Sequence, residues 1–130
     1  MKLLLDTHIW LWLNLSPEKL SKSVRRQLDN PATEIYLSPI SVWEAGHVVR
    51  GGRVRLKEPF PQWVRKALEI APIREAPFNI VIATEAIGIR LPQSDFGDIM
   101  LAATASVLDL TLVTSDPQFV DCSWLKTLAN

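Results

Sequence analysis

The sequence predicts a single α/β domain over residues 1–130, with a central parallel sheet flanked by helices. Short apolar stretches with strand character alternate with amphipathic helical segments, a pattern typical of strand–helix–strand units with right-handed crossovers. The length of 130 residues fits one domain, and a hydrophobic content of 48% is enough to build a core. The same content excludes intrinsic disorder as the state of the chain.

Residues 2–37 are predicted to contain two strands and two helices. Residues 2–5 form a short apolar run, typical of a strand that is buried on both faces near the middle of a parallel sheet. Residues 7–13 are apolar and contain two tryptophans, which indicates a buried helix. Residues 20–28 predict an amphipathic helix, and residues 34–37 predict the second strand.

The next segment is predicted to contain two helices. Ser41 is expected to be the N-cap of a helix that extends to Val49, because Ser41-x-x-Glu44 has the form of a capping box. The glycines at 51–52 end that helix. Residues 59–70 show apolar side chains at helical spacing, which predicts a second amphipathic helix.

The last part of the chain is predicted to continue the alternation. Its predicted elements are a strand over 73–76, a helix from Asn79 to about Arg90, a polar loop over 91–97, a helix over 98–108, a strand over 110–114 and an edge strand over 123–128. The β-branched residues in LTLVT favour the strand over 110–114.

The composition excludes several classes of protein. Fourteen basic residues balance fourteen acidic ones, so any electrostatic attraction to nucleic acid must come from a local patch. The single cysteine, Cys122, excludes an internal disulfide and a cysteine-based zinc site. No apolar run approaches the roughly 20 residues of a membrane helix, so the protein is expected to be cytoplasmic, without contact with a membrane.

Four acidic residues are predicted to lie at one edge of the sheet. Asp6 follows the first strand and Asp116 follows the strand over 110–114. Asp98 opens one predicted helix, and Glu44 lies in the first turn of another. Ligands of parallel α/β sheets bind beyond the carboxyl ends of the strands. Carboxylates without cysteine or paired histidines select Mg²⁺ or Mn²⁺, and such ions support phosphodiester hydrolysis.

Each acid also has a structural explanation. Glu44 could be only the capping-box partner of Ser41, Asp98 could only favour a helix N-terminus, and Asp116 could be a turn residue. Asp6 is the hardest to explain in this way, because a charge at the end of a buried strand is costly without a partner. Four unrelated structural roles would have to place all four acids at the same edge of the sheet by coincidence. One shared site is the simpler explanation.

At these residues the sequence resembles a PIN domain of the VapC toxin kind. The resemblance covers essentially the whole chain, and the matching stretches occur in the order and spacing of the family. They are LLLDTHIWLW at 3–12, SPISVWEAG at 38–46, GGRVRL at 51–56, LPQSDFGDIMLAATA at 91–105 and LTLVTSDPQF at 110–119.

The resemblance implies a Mg²⁺- or Mn²⁺-dependent endoribonuclease that hydrolyses RNA phosphodiester bonds. It also implies that the protein is the toxin of a VapBC-type pair, with a cognate VapB-type antitoxin, and that it forms a homodimer. Asp6, Glu44 and Asp98 match the three core acids of the family, and Asp116 matches the fourth, which often contacts a second metal. The implied supporting residues are Thr7, Ser41, Asp95 and Thr114.

A local basic patch is predicted beside the acidic edge. Basic residues outnumber acidic ones between positions 17 and 66, and Arg50, Arg53 and Arg55 follow the helix that carries Glu44. We expect these arginines to contact RNA phosphates or the antitoxin. The alternative interpretation is that these arginines are only solvent-exposed surface residues.

Two other functions are compatible with parts of the sequence. A phosphohydrolase with Asp6 as nucleophile usually needs a second aspartate two residues later, where His8 stands. A non-catalytic PIN-fold module that binds RNA or a partner would not be expected to retain the whole set of acids. The five tryptophans are expected to lie in the core rather than to serve as base-stacking surfaces, and His47 either faces the groove or is structural.

Overall fold

A five-stranded parallel sheet forms the centre of the molecule. The computed structural model describes residues 1–93 and 95–130. The strands in this part of the chain are β1 (Lys2–Leu5), β2 (Glu34–Leu37), β3 (Ile73–Glu75), β4 (Thr111–Thr114) and β5 (Thr127–Ala129). Their order across the sheet is β3-β2-β1-β4-β5, so the first strand lies at the centre, as predicted.

Helices cover both faces of the sheet. They are α1 (Thr7–Leu15), α2 (Lys22–Asp29), α3 (Pro39–Arg50), α4 (Phe60–Ile70), α5 (Ile80–Ala86), α6 (Phe96–Val107) and α7 (Pro117–Val120), with a 3₁₀ turn over Pro17–Lys19. This confirms the predicted α/β class and the flanked parallel sheet. None of the helices in the described ranges is long and apolar enough to cross a membrane.

Strand β1 is buried on both faces, as its apolar run predicts. Leu3, Leu4 and Leu5 are all fully buried. Because side chains alternate along a strand, Leu3 and Leu5 pack into one core with α1–α4, and Leu4 packs into the other with α5–α7. Full burial of one leucine side chain contributes about 2 kcal/mol relative to exposure. The central position of β1 is therefore enforced by its own three leucines.

Helix α3 begins earlier than the sequence indicates. Its N-cap is Ser38, whose Oγ accepts a hydrogen bond from Ile40 N at 3.1 Å, and Pro39 is its first residue. Proline suits that position because its φ is already helical and it has no N–H to satisfy. The predicted N-cap at Ser41 and its capping box with Glu44 are therefore wrong, and Ser41 lies buried inside the helix.

A capping box does occur, at the start of α6. Asp95 is the N-cap, and its Oδ1 accepts a hydrogen bond from Asp98 N at 2.9 Å. Asp98 Oδ2 in turn accepts one from Asp95 N at 3.4 Å. This exchange starts the helix at Phe96, inside the predicted loop over 91–97, so Asp98 lies within the first turn rather than opening it.

The other differences concern element ends. The predicted cap Asn79 is confirmed, because its Oδ1 accepts a hydrogen bond from Ile82 N at 3.0 Å. Helix α5 ends at Ala86 rather than near Arg90, and Gly88, a poor helix former, follows. Helix α7 was not predicted from the sequence. The last strand was predicted over 123–128, whereas β5 is the shorter Thr127–Ala129.

Candidate active site

The two strand-end acids lie side by side because β1 and β4 are parallel neighbours. Leu5 pairs with Val113 in this ladder, and Asp6 N donates a hydrogen bond to Val113 O at 3.0 Å. Asp6 is the N-cap of α1, and its Oδ1 accepts a hydrogen bond from Thr7 N at 2.7 Å. Asp116 has the same role for α7. Both β1 and β4 are thus followed by a helix whose N-cap is an aspartate.

All four predicted acids line one groove of about 400 Å³. Glu44 reaches it from the second turn of α3 and Asp98 from the first turn of α6. The predicted convergence at the carboxyl edge of the sheet is therefore observed. The other lining residues are Thr7, His8, Trp43, His47, Val48, Arg53, Asp95 and Ser115.

Thr114 joins Asp6 to Asp116. Its buried hydroxyl donates a hydrogen bond to Asp6 Oδ2 at 2.7 Å and accepts one from Asp116 N at 3.0 Å. With the bond from Thr7 N, both oxygens of Asp6 are engaged. The hydroxyl therefore fixes the orientation of the Asp6 carboxylate and the path of the chain after β4.

Glu44 is held from two sides. The hydroxyl of Thr7, which is also buried, donates a hydrogen bond to Glu44 Oε1 at 2.7 Å. On the other side Gly97 lies so close that a Cβ there would be 2.6 Å from Glu44 Cδ. This role of Gly97 was not predicted from the sequence, although a glycine in the first turn of an alanine-rich helix is a signal of close approach.

Gln118 bridges the other two acids. Its Nε2 donates to Asp98 Oδ2 at 3.1 Å and to Asp116 Oδ2 at 3.0 Å. Its backbone N donates to Asp116 Oδ1 at 3.1 Å. Gln118 was not predicted as a site residue, because no helix was predicted after Asp116. A polar residue two positions after a strand-end aspartate would have been the signal.

The pKa of three of the carboxyl groups in the groove is raised. Burial raises the pKa of Asp6, although the hydrogen bonds from Thr114 and Thr7 lower it. Burial raises the pKa of Glu44 as well, and neighbouring carboxylates add to the effect. Burial, followed by the charge of Asp95, raises the pKa of Asp98 to about 6. Three carboxyl groups thus hold their protons more tightly than in water, the expected result of crowding like charges in a partly dry site.

The donor set fits a hard divalent cation in kind. It consists of carboxylate oxygens with hydroxyls beside them, which are the ligands that Mg²⁺ and Mn²⁺ prefer. Across residues 1–93 and 95–130, however, no three acidic, histidine or cysteine side chains already surround one point as metal ligands. The acids instead accept hydrogen bonds from Thr7, Thr114 and Gln118. An ionised carboxylate has about four lone-pair sites, so these donors orient the acids and still leave oxygen lone pairs for an ion.

Three of the four predicted supporting residues contact an acid. They are Thr7, Thr114 and Asp95, through the hydrogen bonds described above. Ser41 is different: it is fully buried in α3, and its hydroxyl has no hydrogen-bond partner in the described part of the chain.

The predicted arginines are distributed over three surfaces. Arg53 lines the acidic groove itself. Arg55 lines a neighbouring depression together with His8 and Arg53. Arg50 lies on the far side of Trp43, in another depression. The predicted arginines therefore lie in and beside the acidic groove rather than at a single point.

Comparison with known proteins identifies the family and the fold. The PIN domain family matches residues 3–125. VapBC2 from Rickettsia felis, solved bound to a DNA fragment from their promoter, contains a chain with 18% identity and a TM-score of 0.71, over 99% of this chain and 98% of that one. A chain of VapBC-1 from nontypeable Haemophilus influenzae has 18% identity and a TM-score of 0.66, over 99% of this chain and 98% of that one. A chain of FitAcB from Neisseria gonorrhoeae has 24% identity and a TM-score of 0.63, over 97% of this chain and 96% of that one.

The family match includes β1 from Leu3 onward, all of β2, β3 and β4, and all four acids of the groove. No curated protein matches the chain by sequence. At identities below a quarter, the structural likeness concerns the fold, and that fold is the one described above. On the family match, this chain belongs to the PIN domain family.

Proposed function

We propose that this PIN domain is a Mg²⁺- or Mn²⁺-dependent endoribonuclease that hydrolyses RNA phosphodiester bonds. The observation that carries the proposal is the convergence of four acidic side chains in one groove, three of them with a raised pKa. A divalent cation that compensates the charge of such carboxylates stabilises their ionised form. A structural cluster of acids with no ligand would only destabilise the fold.

The residues that would hold the ion are Asp6, Glu44, Asp98 and Asp116. When bound, a divalent ion lowers the pKa of a water and offsets the negative charge on a phosphodiester. The protein orients the acids through Thr7, Thr114 and Gln118, which fix one or both oxygens of each carboxylate. Arg53, on the groove wall, supplies a positive charge for a phosphate of the substrate.

We further propose that the protein is the toxin of a VapBC-type pair. The similar structures are of VapBC and FitAcB proteins, and another of 20% identity is a toxin–antitoxin complex from Klebsiella pneumoniae. These likenesses support a cognate VapB-type antitoxin as partner. A homodimer is proposed as well, as the resemblance in sequence implies. RNA as the substrate supports a cytoplasmic location.

The test is cleavage of labelled single-stranded RNA by the purified chain with Mg²⁺, with Mn²⁺ or with EDTA. We expect internal cleavage with either ion and none with EDTA. Asp98→Asn is the control for a contaminating nuclease, because it should be inactive in the same preparation. Cleavage that persists in EDTA contradicts the proposal. A folded chain that binds RNA but cuts none with either ion would favour a non-catalytic PIN module instead.

A further inference from the structure

Trp43 is exposed at the rim of the acidic groove. Its relative exposure is 59%, whereas Trp10 and Trp63 are buried, as the sequence predicts for all five tryptophans. That expectation is wrong for Trp43 and also for Trp124, which is 48% exposed on another part of the surface. An indole this exposed leaves apolar area in water, and in a binding groove such area is available for a ligand.

The ring of Trp43 is held in place by His47. The two side chains lie one helical turn apart on α3, with ring centroids 4.2 Å apart and an edge-on angle of 72°. Both line the acidic groove, and both also line a second depression of about 580 Å³ that contains Arg50 and Phe60. The aromatic pair is therefore the wall between the site of the acids and a neighbouring basic depression.

Positive charges lie on both sides of this aromatic wall. Arg53 lines the acidic groove and Arg50 lines the second depression. Among the described residues, neither arginine forms an ion pair with a carboxylate. Their charges are thus free for phosphates, which a strand that crosses the wall would present on either side of the stacked base.

We propose that Trp43, supported by His47, is the surface on which one unpaired base of the RNA stacks beside the cleaved phosphodiester. Arg50 and Arg53 contact the phosphates that flank this base. The inference rests on the proposed nuclease function and assigns the side chain that holds an unpaired base beside the cut. Bases of a duplex are already stacked on their neighbours and cannot present a face to Trp43.

An RNA strand fits this surface for two reasons. The wall is continuous with the acidic groove, because Trp43 precedes Glu44 in the chain and both line the same cavity. The combination of an exposed aromatic face with unpaired arginines is what single-stranded nucleic acid requires, with stacking for the base and charge for the backbone.

The test measures RNA affinity in the Asp98→Asn background, so that the probe is not cut. Fluorescence anisotropy with Mg²⁺ gives the Kd of a short labelled oligo(A) and of an abasic ribose–phosphate chain of the same length. We expect oligo(A) to bind about tenfold more tightly than the abasic chain, which is the typical effect of one stacked base. Trp43→Ala should remove most of this difference, and Trp43→Phe should keep much of it.

Trp124→Ala is the matched control, because it removes another exposed tryptophan, one that does not line the acidic groove. The proposal is overturned if Trp43→Ala leaves the ratio of the two affinities unchanged, or if Trp124→Ala lowers it as much. In either case Trp43 would be a contact for a protein partner or bare surface. RNA cleavage by the unsubstituted chain is measured separately, so stacking without cleavage would reject the nuclease function and leave the binding surface intact.

Discussion

Gly97 packs directly against the carboxylate of Glu44, and a Cβ at position 97 would lie 2.6 Å from Glu44 Cδ. The glycine belongs to α6 and the glutamate to α3, so the contact sets how closely these two helices approach at the groove. Because the obstructed atoms are the end of a flexible side chain, a larger residue at 97 would displace the carboxylate before it displaced the backbone.

Gly97→Ala should therefore separate activity from stability. Alanine is the better helix former by about 1 kcal/mol, which offsets much of the clash. We expect little change in the free energy of unfolding, but a loss of RNA cleavage of about tenfold or more, because Glu44 can no longer keep its hydrogen bond with Thr7. Gly88→Ala is the control, since a Cβ there makes only an ordinary contact. Cleavage at the parental rate would show that the position of Glu44 does not matter.

Asp98→Asn should abolish cleavage without unfolding the protein, and Asp95→Asn should be milder. Asparagine at 98 keeps the size of the side chain but loses the charge that attracts a cation. Asparagine at 95 remains a good N-cap for α6, so Asp98 stays in place. We expect Asp95→Asn to lower activity by less than about a hundredfold. Rates of cleavage and circular dichroism spectra of both variants check this, and equal losses would reverse the roles assigned to the two residues.

Gln118→Ala should weaken the response to Mg²⁺. Without the shared amide donor, Asp98 and Asp116 lose the group that holds their facing oxygens together. We expect the Mg²⁺ concentration for half-maximal cleavage to rise by about tenfold, and high Mg²⁺ to restore most of the rate. Gln118→Glu should be worse, because it places a third carboxylate in contact with the first two. An unchanged Mg²⁺ dependence in both variants would exclude this role of Gln118.

The metal-free protein should become less stable as the pH rises through the titration of Asp98. The folded-state pKa of about 6 lies above the ordinary 3.8, so between these values the folded state binds more protons than the unfolded state. The contribution is present below about pH 4 and lost by about pH 6; it amounts to about 1 kcal/mol for a half-exposed group. The raised pKa values of Asp6 and Glu44 act in the same direction.

Urea unfolding in EDTA at about pH 4 and about pH 7 measures this difference. Asp98→Asn removes the titrating group and should reduce the difference. Adding Mg²⁺ at about pH 7 should raise the free energy of unfolding of the parent much more than that of Asp98→Asn. If Mg²⁺ raised both equally, the ion would bind elsewhere on the protein.

The parts of the fold that the sequence predicts are those set by local pattern. The apolar run in β1 requires burial on both faces, and only the middle of the sheet offers it. Asp6 and Asp116 each follow a strand, and because the strands are parallel, both residues lie at the same edge of the sheet. The site could thus be located from chain topology before any contact was known.

The contacts that orient the acids could not be predicted in this way. Gln118 bridges two carboxylates from a single turn of helix that has too few residues for a periodic signal. The start of α3 was misplaced because Ser38-Pro39 and Ser41 both satisfy a cap preference, and the proline decides between them. The exposure of Trp43 was missed because hydrophobicity alone places tryptophan in the core.

The hydrogen bond from Thr114 to Asp6 joins residues that are 108 positions apart. During translation, the N-terminal strand leaves the ribosome long before β4 is synthesised, and it must wait for that strand to pair on one side. Until then, neither Thr114 nor the main-chain N–H of Asp116 is available to orient the first carboxylate. A nascent chain is therefore expected to leave the surrounding messenger and ribosomal RNA intact until nearly the whole chain has emerged and folded.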